Sequence, residues 1–271
     1  MTQKTIIANW KMNNSFEESE NFIYELKRKI RKFQNKQNII ICPPAPLLTT
    51  ISEIIIAESL ENLESKKGSL DNLTDNQIHT HLEENHFISL GAQDCHWQNK
   101  GAFTGNISPE LLSDCGCSHV ILGHSERREE NSETSQIIAK KIKAAINSDM
   151  IPILCIGEDK KTREDNTHLP FLEKQLNASL ENNNDLSQLI IAYEPIWSIG
   201  TGVIPTIAQI SEVADFIKKQ LFSKVKDLQI VYGGSVKAKN SGEILEVKNI
   251  DGLLVGSASL DVDEFFKIAQ S

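Results

Sequence analysis

With 37 acidic against 28 basic side chains in 271 residues, a formal net charge of −9, the chain is poorly suited to nucleic acid or an anionic membrane surface as its main partner. The length is ordinary for a single α/β barrel with a sizeable core, and no stretch approaches the roughly 20 apolar residues of a membrane span. An anionic substrate must therefore be held by local donors and not by the overall field. The first residues run into a strand-like segment without a secretory signal, so a cytoplasmic protein is expected. Five cysteines (Cys42, Cys95, Cys115, Cys117, Cys155) are an odd number scattered through apolar segments, which fits reduced, buried thiols. Cys115 and Cys117 have no second pair, so no zinc site is expected there.

Taken in chain order, short apolar runs stand at 5–9, 38–42, 87–91, 119–123, 151–156, 189–193, 228–232 and 250–255. Most are apolar on both alternating faces, the pattern of strands covered on both sides. Helical patterns lie between them. Ile23, Leu26, Ile30 and Phe33 form one stripe, and Ile207, Ile210, Val213, Ile217 and Leu221 another, both at helical spacing. Ser108-Pro109-Glu110 reads as an N-cap, a proline in the first turn and an acid beside the helix start. Eight such units without a linker predict one α/β domain, a (β/α)₈ barrel of eight parallel strands inside a ring of helices. An open doubly wound sheet is the alternative, and the lack of Gly-x-Gly-x-x-Gly after the first strand weakens it. The segment 57–84 is polar and longer than a barrel needs between its second and third strands. It is expected as an insertion on the non-catalytic face, with a short helix near 77–85. His79, His81 and His86 with Glu83 and Glu84 could hold a metal or partner there, although clustered surface histidines usually bind nothing specific.

In a barrel of this kind the residues just past the strand C-termini converge on one mouth. The first strand ends in Asn9-Trp10-Lys11 and the fourth in Gly123-His124-Ser125-Glu126-Arg127-Arg128. After the sixth comes Glu194, with Pro195 fixing φ directly behind it, Trp197 giving the loop an apolar body, and Gly200 and Gly202 freeing its far end. That is the pattern of a catalytic base with a lid attached. The seventh and eighth strands end in Gly233-Gly234-Ser235 and Gly256-Ser257, loops free of carboxylates. Loops in those two positions cradle phosphate through backbone N–H groups and a short helix N-terminus. Singly, Lys11 reads as a solvated strand-end lysine, His124 as a packed histidine and Gly233-Gly234 as a tight turn. Gathered on one rim, they point to proton abstraction beside a carbonyl on a small phosphorylated sugar.

The blocks Asn9-Trp10-Lys11-Met12-Asn13, Gly101-Ala102-Phe103-Thr104-Gly105, Gly123-His124-Ser125-Glu126-Arg127-Arg128, Cys155-Ile156-Gly157-Glu158, Ala192-Tyr193-Glu194-Pro195-Ile196-Trp197 and Tyr232-Gly233-Gly234-Ser235-Val236 stand in an order that resembles the triosephosphate isomerase family over nearly the whole chain. The resemblance implies a cofactor- and metal-free interconversion of dihydroxyacetone phosphate and D-glyceraldehyde 3-phosphate in glycolysis and gluconeogenesis. It makes Glu194 the general base and His124 a neutral electrophile that hydrogen-bonds the enediolate oxygens, supported by backbone N–H donors at a helix start. Lys11 supplies positive charge, Asn9 orients oxygens, Glu126 neutralises and positions Lys11, and Ser125 supports the group. The N–H groups of Gly200, Ser235, Gly256 and Ser257, with the Ser235 hydroxyl, would hold the phosphate. The substrate carbonyl already acidifies the C–H bond, so the site has only to stabilise an oxyanion, each donor contributing on the order of 3 kcal/mol. Closure of residues 195–202 would keep the enediol phosphate from expelling its phosphate. The resemblance also implies a homodimer, with the loop 93–105 reaching into the neighbouring subunit beside its lysine.

Four places depart from the family pattern. Ser257 replaces a glycine, Val203-Ile204-Pro205 forms a stiffer lid hinge, Asn131-Ser132 stands for a Phe-Gly pair ahead of Glu133, and the segment 57–84 is extra. Another phosphosugar barrel enzyme would need a Schiff-base lysine inside a strand or a metal set, and neither is visible. A non-catalytic phosphosugar-binding scaffold is disfavoured by the joint retention of Glu194, His124 and Lys11.

Overall fold

A computed structural model describes residues 3–33, 37–67, 74, 88–183 and 186–271. Eight parallel strands close into a barrel in sequence order: β1 Thr5–Asn9, β2 Asn38–Cys42, β3 Ile88–Ala92, β4 Cys117–Leu122, β5 Ile151–Ile156, β6 Leu186–Tyr193, β7 Val225–Tyr232 and β8 Gly252–Val255. Closure is made by β1 pairing with β8, Thr5 opposite Gly252 and Ala8 opposite Val255. The helices are α1 Phe16–Phe33, α2 Leu48–Lys67, α3 Pro109–Asp114, α4 Ser125–Glu130, α5 Ser135–Asn147, α6 Lys160–Glu164, α7 His168–Ser179, α8 Ile207–Leu221, α9 Ala238–Leu245 and α10 Val262–Ala269.

The two-residue period of a strand divides the core into two layers. Ile7, Ile40, Cys42, Ile121, Ile153, Cys155, Ile190, Ala192, Val231 and Leu254 point inward and fill the barrel. Their neighbours, such as Ile6, Ala8, Ile39 and Ile41, face the helices. A side chain is missing by necessity at Gly91, where an added Cβ would lie 2.6 Å from Cys42 Sγ. The strand slips register between Leu90 and Gly91 at that point.

The helical stripes are as predicted over most of their length. Ile23, Leu26 and Ile30 are buried, as are Ile210, Val213, Ile217 and Leu221, while Phe33 at the last turn of α1 is exposed. The Ser108 hydroxyl accepts the Leu111 N–H at 3.2 Å, with Pro109 opening α3. Four of the five thiols are buried and free, and Cys115 is partly exposed.

Three strands begin two or three residues before their apolar runs. Ser187 and Gln188 in β6, and Lys226 and Asp227 in β7, are exposed near the strand starts. At β8 the opposite holds: Asn249 takes φ +63° and Ile250 belongs to the turn, so the strand starts at Gly252. Within the segment 57–84, expected as a polar insertion, α2 continues unbroken to Lys67. The remainder of that segment, including the short helix expected at 77–85 and the histidines at 79, 81 and 86, lies outside the described residues.

Candidate active site

Asn9, Lys11, His124, Glu194, Gly200, Ser235, Gly256 and Ser257 line one cavity of about 610 Å³ at the C-terminal mouth of the barrel. The groups singled out at the strand ends are thus brought together, with Ser125 and Glu126 immediately behind them.

The β1 end supplies an amide and a cation. Lys11 adopts φ +54°, a left-handed conformation that costs a non-glycine residue on the order of 1 kcal/mol or more. Two side-chain amides hold it there. The Asn9 Oδ1 accepts the Lys11 N–H at 3.1 Å, and Gln93 Nε2 donates to the Lys11 carbonyl at 2.8 Å and to the Cys42 carbonyl at 2.9 Å. The Lys11 ammonium forms an ion pair with Glu126.

The β4 end turns sharply through Gly123 at φ +70°. There the Arg128 guanidinium folds back to donate to the Gly123 carbonyl (2.7 Å), the Cys155 carbonyl (3.0 Å) and Ser135 Oγ (3.2 Å). His124 then caps α4, its Nδ1 accepting the Glu126 N–H at 3.3 Å. A nitrogen that accepts cannot also carry a hydrogen, so this contact assigns the tautomer with hydrogen on Nε2. The Glu126 carboxylate lies 3.5 Å from Nδ1, and its short contact is with Lys11.

Glu194 is aimed by β6 and by the turn after it. Its N–H donates to the Ile156 carbonyl at 2.8 Å, and its carboxylate is 2 % exposed. Oε2 accepts the Ser125 N–H at 3.2 Å, and Oε1 faces His124 Nε2 at 3.2 Å. A carboxylate and an imidazole N–H, both buried and in contact, can pass a proton to and from a carbon while holding the oxygen beside it.

Several contributors were given no role by sequence reasoning. Glu158 is fully buried and accepts the Tyr193 hydroxyl at 3.0 Å and Trp197 Nε1 at 3.2 Å, with Arg163 Nε at 3.4 Å, and so anchors the stem of the lid. Burial, reinforced by the Glu158 charge, pushes the Tyr193 phenol far above its usual range, so that it remains a donor. The signal was the block Cys155-Ile156-Gly157-Glu158, whose residues touch the lid only after folding. Gln93, Arg128, Ser198 and Asp94 were likewise missed. Asp94 joins Glu133 in holding Arg127, at 2.8 Å from each, and in pairing buried Lys141. Burial raises the Asp94 carboxyl despite Lys141, whereas at Glu133 the hydrogen bonds from Lys141 and Arg127 outweigh burial and lower it. This network joins the base of the loop 93–105 to α4 and α5.

The departures have local answers. Ser257 is outside the positive-φ region, so its N–H can be presented at the head of the turn Ser257–Ser259 without glycine. Ser132 does take φ +52°, so the strain that a glycine would avoid is carried there by a serine. Glu133 retains its arginine partner. The Ser198 hydroxyl donates to the Val203 carbonyl at 2.8 Å, which ties the hinge segment to the stem of the lid.

The model of the triosephosphate isomerase family matches residues 4–68 and 71–271. The triosephosphate isomerase of Dictyoglomus thermophilum is 38 % identical to the chain, with all of both chains covered. That of Bradyrhizobium sp. (strain ORS 278) is 35 % identical over 98 % of this chain and 96 % of its own. Among solved structures, the triosephosphate isomerase of Bartonella henselae superposes with a TM-score of 0.79 at 32 % identity, covering 98 % of each chain.

Proposed function

Because the chain belongs to the triosephosphate isomerase family and is an isomerase of dihydroxyacetone phosphate and D-glyceraldehyde 3-phosphate, a glycolytic reaction, we propose that the proton transfer runs between Glu194 and the substrate carbons, with His124 and Lys11 on the oxygens. The Glu194 carboxylate removes a proton from the carbon beside the carbonyl. The enediolate charge is taken up by the Nε2–H of His124 and the Lys11 ammonium, with Asn9 orienting the oxygens. The Glu194 carboxyl then returns the proton to the neighbouring carbon, and the oxygens exchange theirs through His124. No outside electron acceptor enters this balance. Glu126 positions Lys11 through its ion pair, and Ser125 steadies the base through its N–H.

The observation that carries this reading is the buried Glu194 carboxylate 3.2 Å from His124 Nε2 in the same cavity as Lys11. Both groups work at short range in a site that a closing lid shields from water, where each interaction is strengthened. The phosphate end is assigned to the N–H groups of Gly200, Ser235, Gly256 and Ser257. In D₂O, a Glu194-mediated transfer incorporates deuterium at the carbon that receives the proton, and Glu194→Gln abolishes turnover. Product free of deuterium would refute an exchangeable base.

We also propose a homodimer through the loop 93–105. His96 stacks on Trp97 (4.1 Å) and lies 4.3 Å from Phe103, so the loop is internally stiffened, yet Phe103 and Ile107 remain exposed. Met12 is 94 % exposed beside Lys11, and an apolar groove of about 540 Å³ runs between α2 and α3, lined by Leu48, Ile107 and Leu111. Exposed apolar groups of this kind fit an isologous interface. No described helix is long and apolar enough to cross a membrane, and a cytoplasmic location is part of the same proposal. One barrel domain from 1 to 271, interrupted between β2 and β3, completes the reading.

A further inference from the structure

Both donors of Ser235 that the preceding reading assigns to phosphate are occupied by the lid. The Ser235 N–H points at Ser198 Oγ (3.3 Å), and the Ser235 hydroxyl donates to the Ser198 carbonyl at 2.6 Å. Ser198 is wholly buried at the stem of the lid. Its own proton goes to the Val203 carbonyl at 2.8 Å, so its contact with the Tyr232 hydroxyl at 3.3 Å leaves the tyrosine as donor. A single serine oxygen therefore links the hinge segment, β7 and the loop after β7. The packing is tight enough to require glycine next door, since a Cβ on Gly234 would lie 2.1 Å from the Tyr232 hydroxyl and 2.9 Å from Ser198 Oγ.

We propose that Ser198 is a positioning residue, a latch whose hydroxyl and carbonyl hold the two donors of Ser235 until substrate phosphate displaces them, so that phosphate capture and release of the lid are one exchange. This rests on the assignment of Ser235 to the phosphate end. The chemistry follows from the donor count. Ser235 has one N–H and one O–H, and neither can serve Ser198 and a phosphate oxygen at full strength together. A phosphate dianion is the stronger acceptor, because hydrogen bonds to charged oxygens are about twice as strong as neutral ones. Substrate therefore wins the exchange, and Ser198, no longer bonded by Ser235, releases the stem of the lid from the loop after β7. An alanine at 198 keeps the carbonyl contact and loses the hydroxyl, which is the part specific to this side chain.

The test compares the full-length protein with Ser198→Ala, Ser198→Cys and Ser235→Ala. Inorganic phosphate is the probe, measured as a competitive inhibitor of turnover and by titration of 5-fluorotryptophan-labelled protein. The lid resonance, from Trp197, is assigned by replacing single tryptophans. A latch holds the protein in a state that phosphate must first undo, so weakening it raises apparent affinity. Ser198→Ala and Ser198→Cys should each lower the phosphate Kd about fivefold, and KM with it. The cysteine keeps the volume of the site with a poor hydrogen-bonding group, so the result does not depend on the alanine variant alone. Ser235→Ala should weaken phosphate binding in every background. Unchanged phosphate affinity in Ser235→Ala would overturn the assignment of the Ser235 hydroxyl to phosphate. Weakened binding in Ser235→Ala together with unchanged or weaker binding in both Ser198 variants would overturn the latch and leave that assignment standing. A Trp197 resonance that does not move at saturating phosphate would also overturn it.

Discussion

A methyl group at Gly233 should disable catalysis without unfolding the protein. Gly233 lies outside the positive-φ region, so alanine fits the backbone, but its Cβ would stand 2.9 Å from Glu194 Cγ and 3.5 Å from both Leu254 Cδ2 and the Tyr193 carbonyl. The last two are ordinary contacts. The first must open to roughly 3.5–4.0 Å, which moves the Glu194 side chain by about 0.6–1 Å. Its carboxylate is held at 3.2 Å by each of two neighbours, the Ser125 N–H and His124 Nε2, so a shift of that size takes it out of register with both. Misplacing a catalytic group by about 1 Å costs roughly 100-fold in rate. Crowding of one mid-chain carbon should cost about 1–3 kcal/mol of stability, a drop of several degrees in Tm. Gly157→Ala is the contrast, because its Cβ would lie 1.7 Å from the Glu194 backbone oxygen, which no rotamer relieves. In a coupled assay of D-glyceraldehyde 3-phosphate conversion, Gly233→Ala should lose kcat while melting near wild type, and Gly157→Ala should fail to fold. Wild-type kcat in a folded Gly233→Ala, or a stable Gly157→Ala, would refute the reasoning.

Three further expectations follow from the same contacts. Glu194→Asp withdraws the carboxylate from Ser125 and His124, and kcat should fall by roughly 10²- to 10⁴-fold with a modest change in KM; wild-type turnover would remove Glu194 as the base. Leu111→Asp places a charge in the apolar groove beside α3, so light scattering at micromolar concentration should show a monomer of low activity, whereas a fully active wild-type monomer would contradict the dimer. At the opposite mouth of the barrel, burial lowers the His119 imidazole to about 4 from its usual 6.5. Its folded form resists the proton that the unfolded chain accepts, so stability contributed by the neutral ring is complete above pH 6.5 and is lost as pH falls from there towards 4. The loss is on the order of 2 kcal/mol after allowance for the ring's partial solvent access, and His119→Gln should flatten that part of a urea-denaturation pH profile.

The architecture was legible because strand and helix periodicities are local. Each apolar run reports its own two-sided burial, and eight of them with helices between leave few ways to close a sheet. The runs at 5–9, 38–42 and 151–156 match their strands residue for residue, since both ends are set by a change in side-chain type. Where strands begin in exposed polar residues, as at Ser187-Gln188 and Lys226-Asp227, those residues hide the start. The helical continuation to Lys67 was hidden in the same way, because a polar helix segment and a polar loop share a composition.

The rim residues were also legible, one strand end at a time, because glycine, proline and isolated charges mark loops by their own chemistry. What depended on tertiary structure was every relation between them. The tautomer of His124 rests on the Glu126 N–H, and the aim of Glu194 on Ser125, 69 positions away in sequence. Glu158 and Arg128 gain their roles by reaching the lid stem and the Cys155 carbonyl across neighbouring strands. Ser198 sat in plain view within the lid motif, yet nothing local to it says that its oxygen meets Val203, Tyr232 and Ser235 together. A hydrogen bond is decided within a few tenths of an ångström and by direction, whereas sequence pattern fixes only which face a residue occupies. The chain alone therefore determined the barrel and the list of groups at its mouth, and only closure of that barrel decided which donor meets which acceptor.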